Sequence, residues 1–480
     1  MRKLFLFLAL LFVNFITAQE KLLEISNDLK VGIDKVHTAF TISDEETGNF
    51  GVFLDDENKL YGFLYNSSLE LINRITSEGL PRKYSQIIGY SIKNQKIRLF
   101  LNDNKDKRFG SVLFDFVNGT TKETLYDFKL KDEVYVEGYN DFSRFYLITM
   151  TKESSVFNLY VFEEGKPFTK EIIDLSQERF IDNFGNQQNL NRIMAWGGER
   201  EPDGGSFSLK VDKIDSDSPN SIEGTTENIK FYPGKSGFLL TSETDKHTLL
   251  FDISTKDLTY SLTRIERPKL PEKSPNSNSF IIDNKIFHIS STKNQMLFSV
   301  TSLDGKKELK NILINKDEEI NFKNTPIIQE GGAYKSYREL DKTSKFLRRL
   351  GRENIGIAVT KSKNDYIVTI GAKVDIPSGG MMMSGFGMPL ATAGAFTVTF
   401  NPTSFAYSSY SGTKATRIKC LFDYDFNHID GNIPENVFDR IRNMSDEIKN
   451  KDAETVFKLN NHYVWGFYDK KTDKYILYQF

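Results

Sequence analysis

Leu113-Phe114-Asp115-Phe116-Val117, closed by Asn118-Gly119, is the stretch that decides the fold. Apolar and aromatic residues surround a single aspartate and stop at a turn pair, the pattern of a short strand ending in a tight connection. The same arrangement returns along the chain. Leu60-Tyr61-Gly62-Phe63-Leu64-Tyr65 stops at Asn66-Ser67-Ser68, and Leu159-Tyr160-Val161-Phe162 stops at Glu164-Gly165. Leu249-Leu250-Phe251-Asp252-Ile253 stops at Thr255-Lys256, and Leu297-Phe298-Ser299-Val300 at Asp304-Gly305. Taken at residues 67, 119, 165, 255 and 304, the turns stand 52, 46, 90 and 49 residues apart. The interval of 90 is read as two periods, with Phe207-Ser208-Leu209-Lys210-Val211 before Asp215-Ser216 as the copy between them.

A period of about 47 residues with several strands per unit is the size of a β-propeller blade. One small sheet cannot bury both of its faces, and a ring of sheets gives each face a neighbour. The expectation is an all-β chain, a β-propeller of about seven blades within a range of six to eight. Residues 1–18 read as a signal peptide, 19–315 as blades one to six, and 316–480 as a closing blade with helical and Met/Gly-rich insertions. Leu22 to Ile25 is expected to pair into that last blade. Aromatic residues make up 13% of the 480, with 39 Phe and 21 Tyr, and aromatics suit a pleated surface. A net charge of −2 gives no electrostatic case for nucleic acid as a partner.

The export reading rests on Arg2 and Lys3, the apolar run Leu4 to Val13, and the small-residue exit Thr17-Ala18 before Gln19. Cys420 is the only cysteine, so no disulfide forms within the chain. The expected location is therefore exported, periplasmic or associated with the outer membrane, in a protein held by its core alone.

The repeat breaks after Asn315. Tyr334 to Leu350 reads as an amphipathic helix, Ile355 to Val374 as a hairpin turning at Ser362 to Asp365, and Pro434 to Lys449 as a second helix. Ala395 to Phe400 and Thr416 to Phe422 read as strands. Between these lies Ile376 to Thr413, 38 residues without Asp, Glu, Lys or Arg in a chain that is 27% charged. Its head carries Met381, Met382, Met383, Phe386, Met388 and Leu390 among glycines and serines. An exposed, adaptable, apolar segment of this kind suits docking on another protein, and the absence of charge suits a confined site where an unpaired charge is costly. Three other readings stand beside it: a hairpin filling the core, a membrane-inserting hairpin, and a lid over a ligand pocket.

Compartment, the Lys-, Asn- and Phe-rich composition and this finger give the chain a resemblance to secreted proteins of the Bacteroidota. The finger also resembles what a plug-like subunit of a type IX secretion translocon would need. That resemblance implies a protein partner in the envelope, an outer-membrane barrel, and a non-enzymatic role. The terminal Tyr475-Ile476-Leu477-Tyr478-Gln479-Phe480 by itself resembles the end of an outer-membrane barrel, but the strands are short and the mean hydropathy of −0.42 is low for one.

No catalytic motif appears. His37, His247, His288, His428 and His462 form no H-x-H or H-E-x-x-H pair, and no G-x-S-x-G elbow occurs. Gly234-Lys235-Ser236 lacks the first glycine of a phosphate loop, since Ile229 stands there, and reads as a turn; no nucleotide is expected. The one metal candidate is Asp423, Asp425 and Asn427, which begin as a calcium loop does; His428 and Pro434 then replace the glycine and glutamate such a loop uses. No other cofactor is implied. The alternative to a scaffold is a propeller-type hydrolase or glycan-binding protein with a pocket on the axis.

Overall fold

The computed structural model describes residues 20–480 apart from 27–35, 37, 45, 57–58, 82, 104, 142, 196–208, 273–274, 332–333, 374–396 and 413. The described strands form seven sheets of four or five strands and one two-stranded pair, Phe180–Ile181 with Gln187–Gln188. The first sheet is Thr38–Ser43, Phe50–Asp55, Leu60–Tyr65 and Leu71–Ser77. The second is Gln86–Lys93, Lys96–Asn102, Phe109–Asp115 and Thr120–Tyr126, and the third is Glu133–Asp141, Arg144–Thr151, Val156–Glu163 and Thr169–Asp174. The fourth runs Val211–Lys213, Ile229–Pro233, Gly237–Glu243, His247–Ser254 and Thr259–Glu266; the fifth is Asn276–Ile282, Lys285–Ser291, Gln295–Ser302 and Glu308–Asn315.

The sixth sheet departs from simple order. The chain first lays down Ile327–Gly331 and Tyr334–Leu340 on the outside, then the inner hairpin Asn354–Ser362 and Asp365–Lys373, and Ala415–Phe422 slots between the two pairs. The seventh sheet takes Lys451–Leu459, His462–Asp469 and Lys474–Gln479 from the C-terminal end and Glu20–Ser26 from the N-terminal end. Glu20 faces Gln479 and Ile25 faces Tyr475, so the two chain ends close the ring as the Leu22 to Ile25 pattern implies. The inner strands of neighbouring sheets touch at the axis: Thr38–Ser43 against Lys451–Leu459, Gln86–Lys93 against Glu133–Asp141, and Asn276–Ile282 against Asn354–Ser362. This is a β-propeller. The barrel-like terminus is the third strand of a propeller sheet, with Tyr475 and Leu477 fully buried.

Aromatic pairs bridge the sheets. Phe53 meets Phe114 at 5.1 Å between the first and second, Phe100 meets Phe145 at 4.4 Å between the second and third, and Phe298 stacks on Phe422 at 5.5 Å between the fifth and sixth. Each buried phenylalanine contributes about 1.5–3 kcal/mol by leaving water. One close backbone approach needs glycine: a Cβ at Gly138 would lie 2.3 Å from the carbonyl oxygen of Ile88 in the adjoining inner strand. Gly138→Val should therefore spread the second and third sheets and cost about 1–3 kcal/mol, measured by urea unfolding; an unchanged midpoint would show the ring to be compliant there.

Several expectations are corrected. Five sheets, not six, precede Asn315, and residues 316–480 supply two sheets rather than one closing blade. The interval of 90 residues holds a single sheet. It also holds the small 180–188 pair, a short helix Leu190–Ala195 and an inward excursion at 214–228; Asp215, whose expected place is the turn after the Phe207 to Val211 copy, is 8% exposed. Tyr334 to Leu350 is a strand followed by the helix Thr343–Leu350, whose Phe346, Leu347 and Leu350 are buried. Ala395 to Phe400 contributes only Thr397–Val398 as strand, and the helix Pro402–Ser411 stands where no helix was expected. The last helix spans Val437–Glu447, capped by Asn436 rather than begun at Pro434. None of the described helices is long and apolar enough to cross a membrane.

Candidate functional site

In each of the seven larger sheets the innermost antiparallel pair is joined by a hairpin, which in the fourth sheet is Ile229–Pro233 with Gly237–Glu243, and these hairpins share one face of the ring. Several are two-residue turns with both residues in the left-handed region: Asn94 and Gln95 (φ 50° and 58°), Asp283 and Asn284 (51° and 55°), Asn460 and Asn461 (50° and 66°). Asn and Asp tolerate that conformation, so turn chemistry rims the hairpin face with amides. The opposite face, where the chain enters each inner strand, is the entry face.

Two excursions fill the axis. The first leaves the fourth sheet after Lys213 and returns at Ile229. It has no regular structure yet is largely buried: Ile214, Ser218, Ile222 and Thr225 are at most 1% exposed. A buried loop must satisfy its own backbone, and its polar composition does this. Asn220 Nδ2 donates to the carbonyls of Asp215 and Ser218, both at 2.9 Å, and Thr225 Oγ1 donates to that of Ile222 at 3.0 Å. Ile222 packs where Cβ atoms at Gly356 and Gly371 of the sixth sheet would fall.

The second excursion re-enters from the sixth sheet. Thr397 and Val398 pair in parallel with Gln86 and Ile87 on the inner edge of the second sheet. Phe400 lies edge-on to Phe40 and Tyr90 at 5.8 and 5.2 Å. The chain then turns at Asn401, whose side chain accepts from the amides of Thr403 and Ser404 at 3.1 Å, with Pro402 in the first turn. The axial helix Pro402–Ser411 buries Ala406, Tyr407 and Tyr410 against Phe438 and Ile441 of the last helix and Trp465 of the seventh sheet. The lack of charge over 397–412 thus belongs to a helix inside the ring. That half of the uncharged stretch fills the core, while its Met-rich head, from residue 376 to 396, lies outside the described residues, and with it Met381, Met382, Met383, Phe386, Met388 and Leu390.

Asp215 fastens the excursions together. Its carboxylate accepts from Lys458 Nζ of the seventh sheet at 2.8 Å, from Thr403 Oγ1 of the axial helix at 2.7 Å, and from Ser218 Oγ. Burial presses this carboxyl upward, but Lys458 and the two hydroxyls outweigh it and hold it below the usual carboxylate range. Above this hub, on the hairpin face, lie two adjoining cavities. One, of about 660 Å³, is floored by Phe400–Thr403 and walled by Asp215, Lys458 and Asn461; the other, of about 690 Å³, reaches Asn94, Asn140 and Asp141. Ser43, Asp44, Tyr90 and Lys235 line both.

A second polar set sits inward of the entry face between the fourth, fifth and sixth sheets. Lys230, wholly buried, donates to the Glu227 carbonyl at 2.8 Å and to Asn278 Oδ1. Burial lowers its ammonium pKa. Burial, and then neighbouring Glu227, push the Asp212 carboxyl up to about 7 against the pull of Lys230. Burial pushes His288 down to about 4, and its Nε2 meets Thr248 Oγ1 at 3.1 Å. A cavity of about 330 Å³ lined by Glu243, Asn278, Arg267 and Arg352 opens beside this set.

The metal candidate has a structural account. Asp423 Oδ1 accepts from the amides of Asp425 and Asn427 at 2.9 and 2.8 Å, and Oδ2 from Asn427 Nδ2 at 3.1 Å. The loop so held puts Phe426 at φ 63° and stacks it on Tyr366 at 5.5 Å. Among the described residues, no three His, Cys, Asp or Glu side chains converge as a metal group. Gly234-Lys235-Ser236 is the fourth-sheet hairpin, closed by the Gly234 amide on the Gly237 carbonyl at 2.9 Å. Cys420 is buried in the sixth sheet, which raises its thiol pKa well above the usual value.

The residues that sequence reasoning missed are Asp215, Lys458, Asn401 and Thr403. Their only signals were the polar run Asp215 to Ser221 and the tail of the uncharged stretch.

Ring and axis together define a β-propeller protein whose centre is packed by its own chain. No protein-family model matches the chain, and no curated protein matches it. Among solved structures it is similar to the Dos1 propeller, at 9% identity and a TM-score of 0.26 over 89% of this chain and 75% of that one. It is also similar to the Aleuria aurantia lectin in complex with Fucalpha1-6GlcNAc, at 12% identity and a TM-score of 0.23 over 72% and 90% of the two chains. A third similarity is to prolyl oligopeptidase B from Galerina marginata, at 9% identity and a TM-score of 0.32 over 90% of this chain and 46% of that one. Scores at this level leave the strand pairing itself as the basis for the fold.

Proposed function

We propose that this chain is a non-enzymatic interaction scaffold of the cell envelope, a rigid propeller that presents the apolar 376–396 finger to an outer-membrane protein complex. One observation carries the reading: both ends of the finger are built into the ring. Lys373 ends an inner-hairpin strand, paired with Asn354 and Ala415. Thr397 begins the parallel pairing on Gln86. Both anchor points lie at the entry face, and the segment between them contains the 21 uncharged residues Ile376 to Phe396. An anchored loop loses less freedom on docking than a free tail, which favours a binding element held out from a stiff platform. Met381, Met382, Met383, Phe386, Met388 and Leu390 supply its apolar contacts, and a partner with a confined apolar mouth, such as a large membrane barrel, matches its chemistry.

The test replaces residues 379–388 by a Gly/Ser linker of equal length in the native host. Copurification of a membrane-integral β-barrel with the wild-type chain should drop at least about tenfold, with the thermal unfolding of the purified variant unchanged. An identical set of copurifying proteins from both chains would sink the reading.

A further inference from the structure

We infer that the paired cavities on the hairpin face form a binding site for a neutral oligosaccharide. This is independent of the finger, whose flanking residues Lys373 and Thr397 lie at the opposite face.

Size and shape come first. Cavities of about 660 and 690 Å³ each fall within the range of small-ligand sites, and they share Ser43, Asp44, Tyr90 and Lys235. Two lobes with a common wall suit a ligand of several linked units better than one compact molecule.

The lining then selects the chemistry. Asn49, Asn94, Asn140, Asn401, Asn460 and Asn461 all contribute. A primary amide offers two donors and an acceptor, and a sugar hydroxyl is both donor and acceptor, so such a wall can match a polyol whichever way its hydroxyls turn. Charge argues against an anion. The two cavities count Asp44, Glu46, Asp141, Asp215 and Asp217 against Lys93, Lys235 and Lys458. Lys458 is taken up by Asp215, and Asp141 also pairs with Arg144 at 2.7 Å. The carboxylates outnumber the lysines, so a phosphate- or carboxylate-bearing ligand meets a mildly repulsive mouth. Asn140 Nδ2 already donates to the Tyr90 carbonyl, and the Asn401 amide caps the axial helix and donates to the Val456 carbonyl, so the ligand chemistry rests on Asn49, Asn94, Asn460 and Asn461, whose amides a wholly apolar ligand would not match. Tyr90, half-buried and held edge-on to Phe400 at 5.2 Å, gives both lobes an aromatic wall for the less polar face of a sugar ring.

Preorganisation is the last element. Asn94 and Asn461 sit in two-residue turns with left-handed backbone, fixed by strand pairing on either side. The floor is the capped start of the axial helix, tied through Thr403 to Asp215. A wall fixed before binding loses little entropy on binding. Turn asparagines, required for hairpin geometry, then serve a second purpose as the rim of a site.

The test titrates the purified full chain by calorimetry with malto-, cello-, xylo-, manno- and chitohexaose, and with a hexagalacturonate as the anionic control. At least one neutral hexasaccharide should bind with a dissociation constant of about 1 mM or tighter, and the hexagalacturonate should not. Asn461→Gly and Asn94→Gly keep the left-handed turns while removing the amides. At least one of the two should weaken binding about tenfold, with the unfolding midpoint unchanged. Replacing 379–388 by a linker should leave the affinity as it was. No binding by any of the neutral hexasaccharides, stronger binding of the hexagalacturonate, or full binding by both glycine variants would each overturn the assignment.

Discussion

Asn278→Ala is expected to cost about 3–5 kcal/mol of folding stability, read as a large fall in the urea midpoint. Asn278 is 1% exposed at the start of the fifth sheet's inner strand. Its amide donates to the Thr226 carbonyl of the axial excursion at 3.0 Å and to the Ile355 carbonyl of the sixth sheet at 2.9 Å. Its oxygen accepts from the Ser279 amide at 2.8 Å and from Lys230 Nζ of the fourth sheet. One side chain thus joins three sheets and an excursion. Truncation leaves two buried carbonyls open and the Lys230 ammonium with the Glu227 carbonyl as its one remaining hydrogen bond of the two it makes. A buried cation stripped of a partner costs far more than a neutral hydrogen bond. Lys230→Met should cost less than Asn278→Ala, because an apolar chain of similar length needs no partner there. If Asn278→Ala stays within about 1 kcal/mol of the wild type, the network does not join the sheets.

The ring was legible because its cause is local. Strand runs such as Leu113 to Val117 and Leu297 to Val300 end at turns whose residues suit the turn, and closure through Leu22 to Ile25 follows from the need to cover the last sheet. The axis was not legible, because its signals imitate surface signals. Asp215-Ser216-Asp217-Ser218-Pro219-Asn220-Ser221 has turn composition, yet the same hydroxyls and amides serve a loop that must meet its own backbone needs away from water. Period counting then inserted a sheet where the chain was crossing the centre of the ring.

The uncharged stretch divides in the same way. Its tail from Thr397 to Gly412 lacks charge because it packs beside Trp465, Phe438 and Gly224, where an unpaired charge would be costly. Its helix was hidden by Pro402, Thr403 and several serines, which are poor interior helix formers but good at a helix start. The cavity on the hairpin face was invisible for another reason. Asn49, Asn94, Asn140, Asn401 and Asn461 are far apart in sequence, and only ring closure brings them to one mouth. Nothing in their spacing announces a site, whereas a metal or phosphate loop draws its ligands from one segment.

Asp215→Ala should cost about 3 kcal/mol at neutral pH and loosen the axial helix without opening the ring. The substitution frees Lys458, Thr403 and Ser218 together, and it unties the fourth-sheet excursion from the second one. Lys458 is 32% exposed on its side chain, so water takes up part of its loss. The larger share falls on the buried hydroxyls and on the start of the helix. Hydrogen exchange over 402–411 should therefore speed up more than exchange in the strands of the fifth sheet. The effect has a pH signature. In the folded chain the Asp215 carboxyl is held below its unfolded value of about 3.9, so its contribution is fully present above that value. The contribution is lost as the pH falls through the lower folded value. The stability difference between wild type and Asp215→Ala should accordingly be constant from about pH 7 to pH 5 and shrink below about pH 4. Urea unfolding at pH 7, 5 and 3.5 measures it. A difference that persists undiminished at pH 3.5, or an axial helix that exchanges no faster than before, would mean that Asp215 is a passive filler and that packing alone holds the two excursions in the ring.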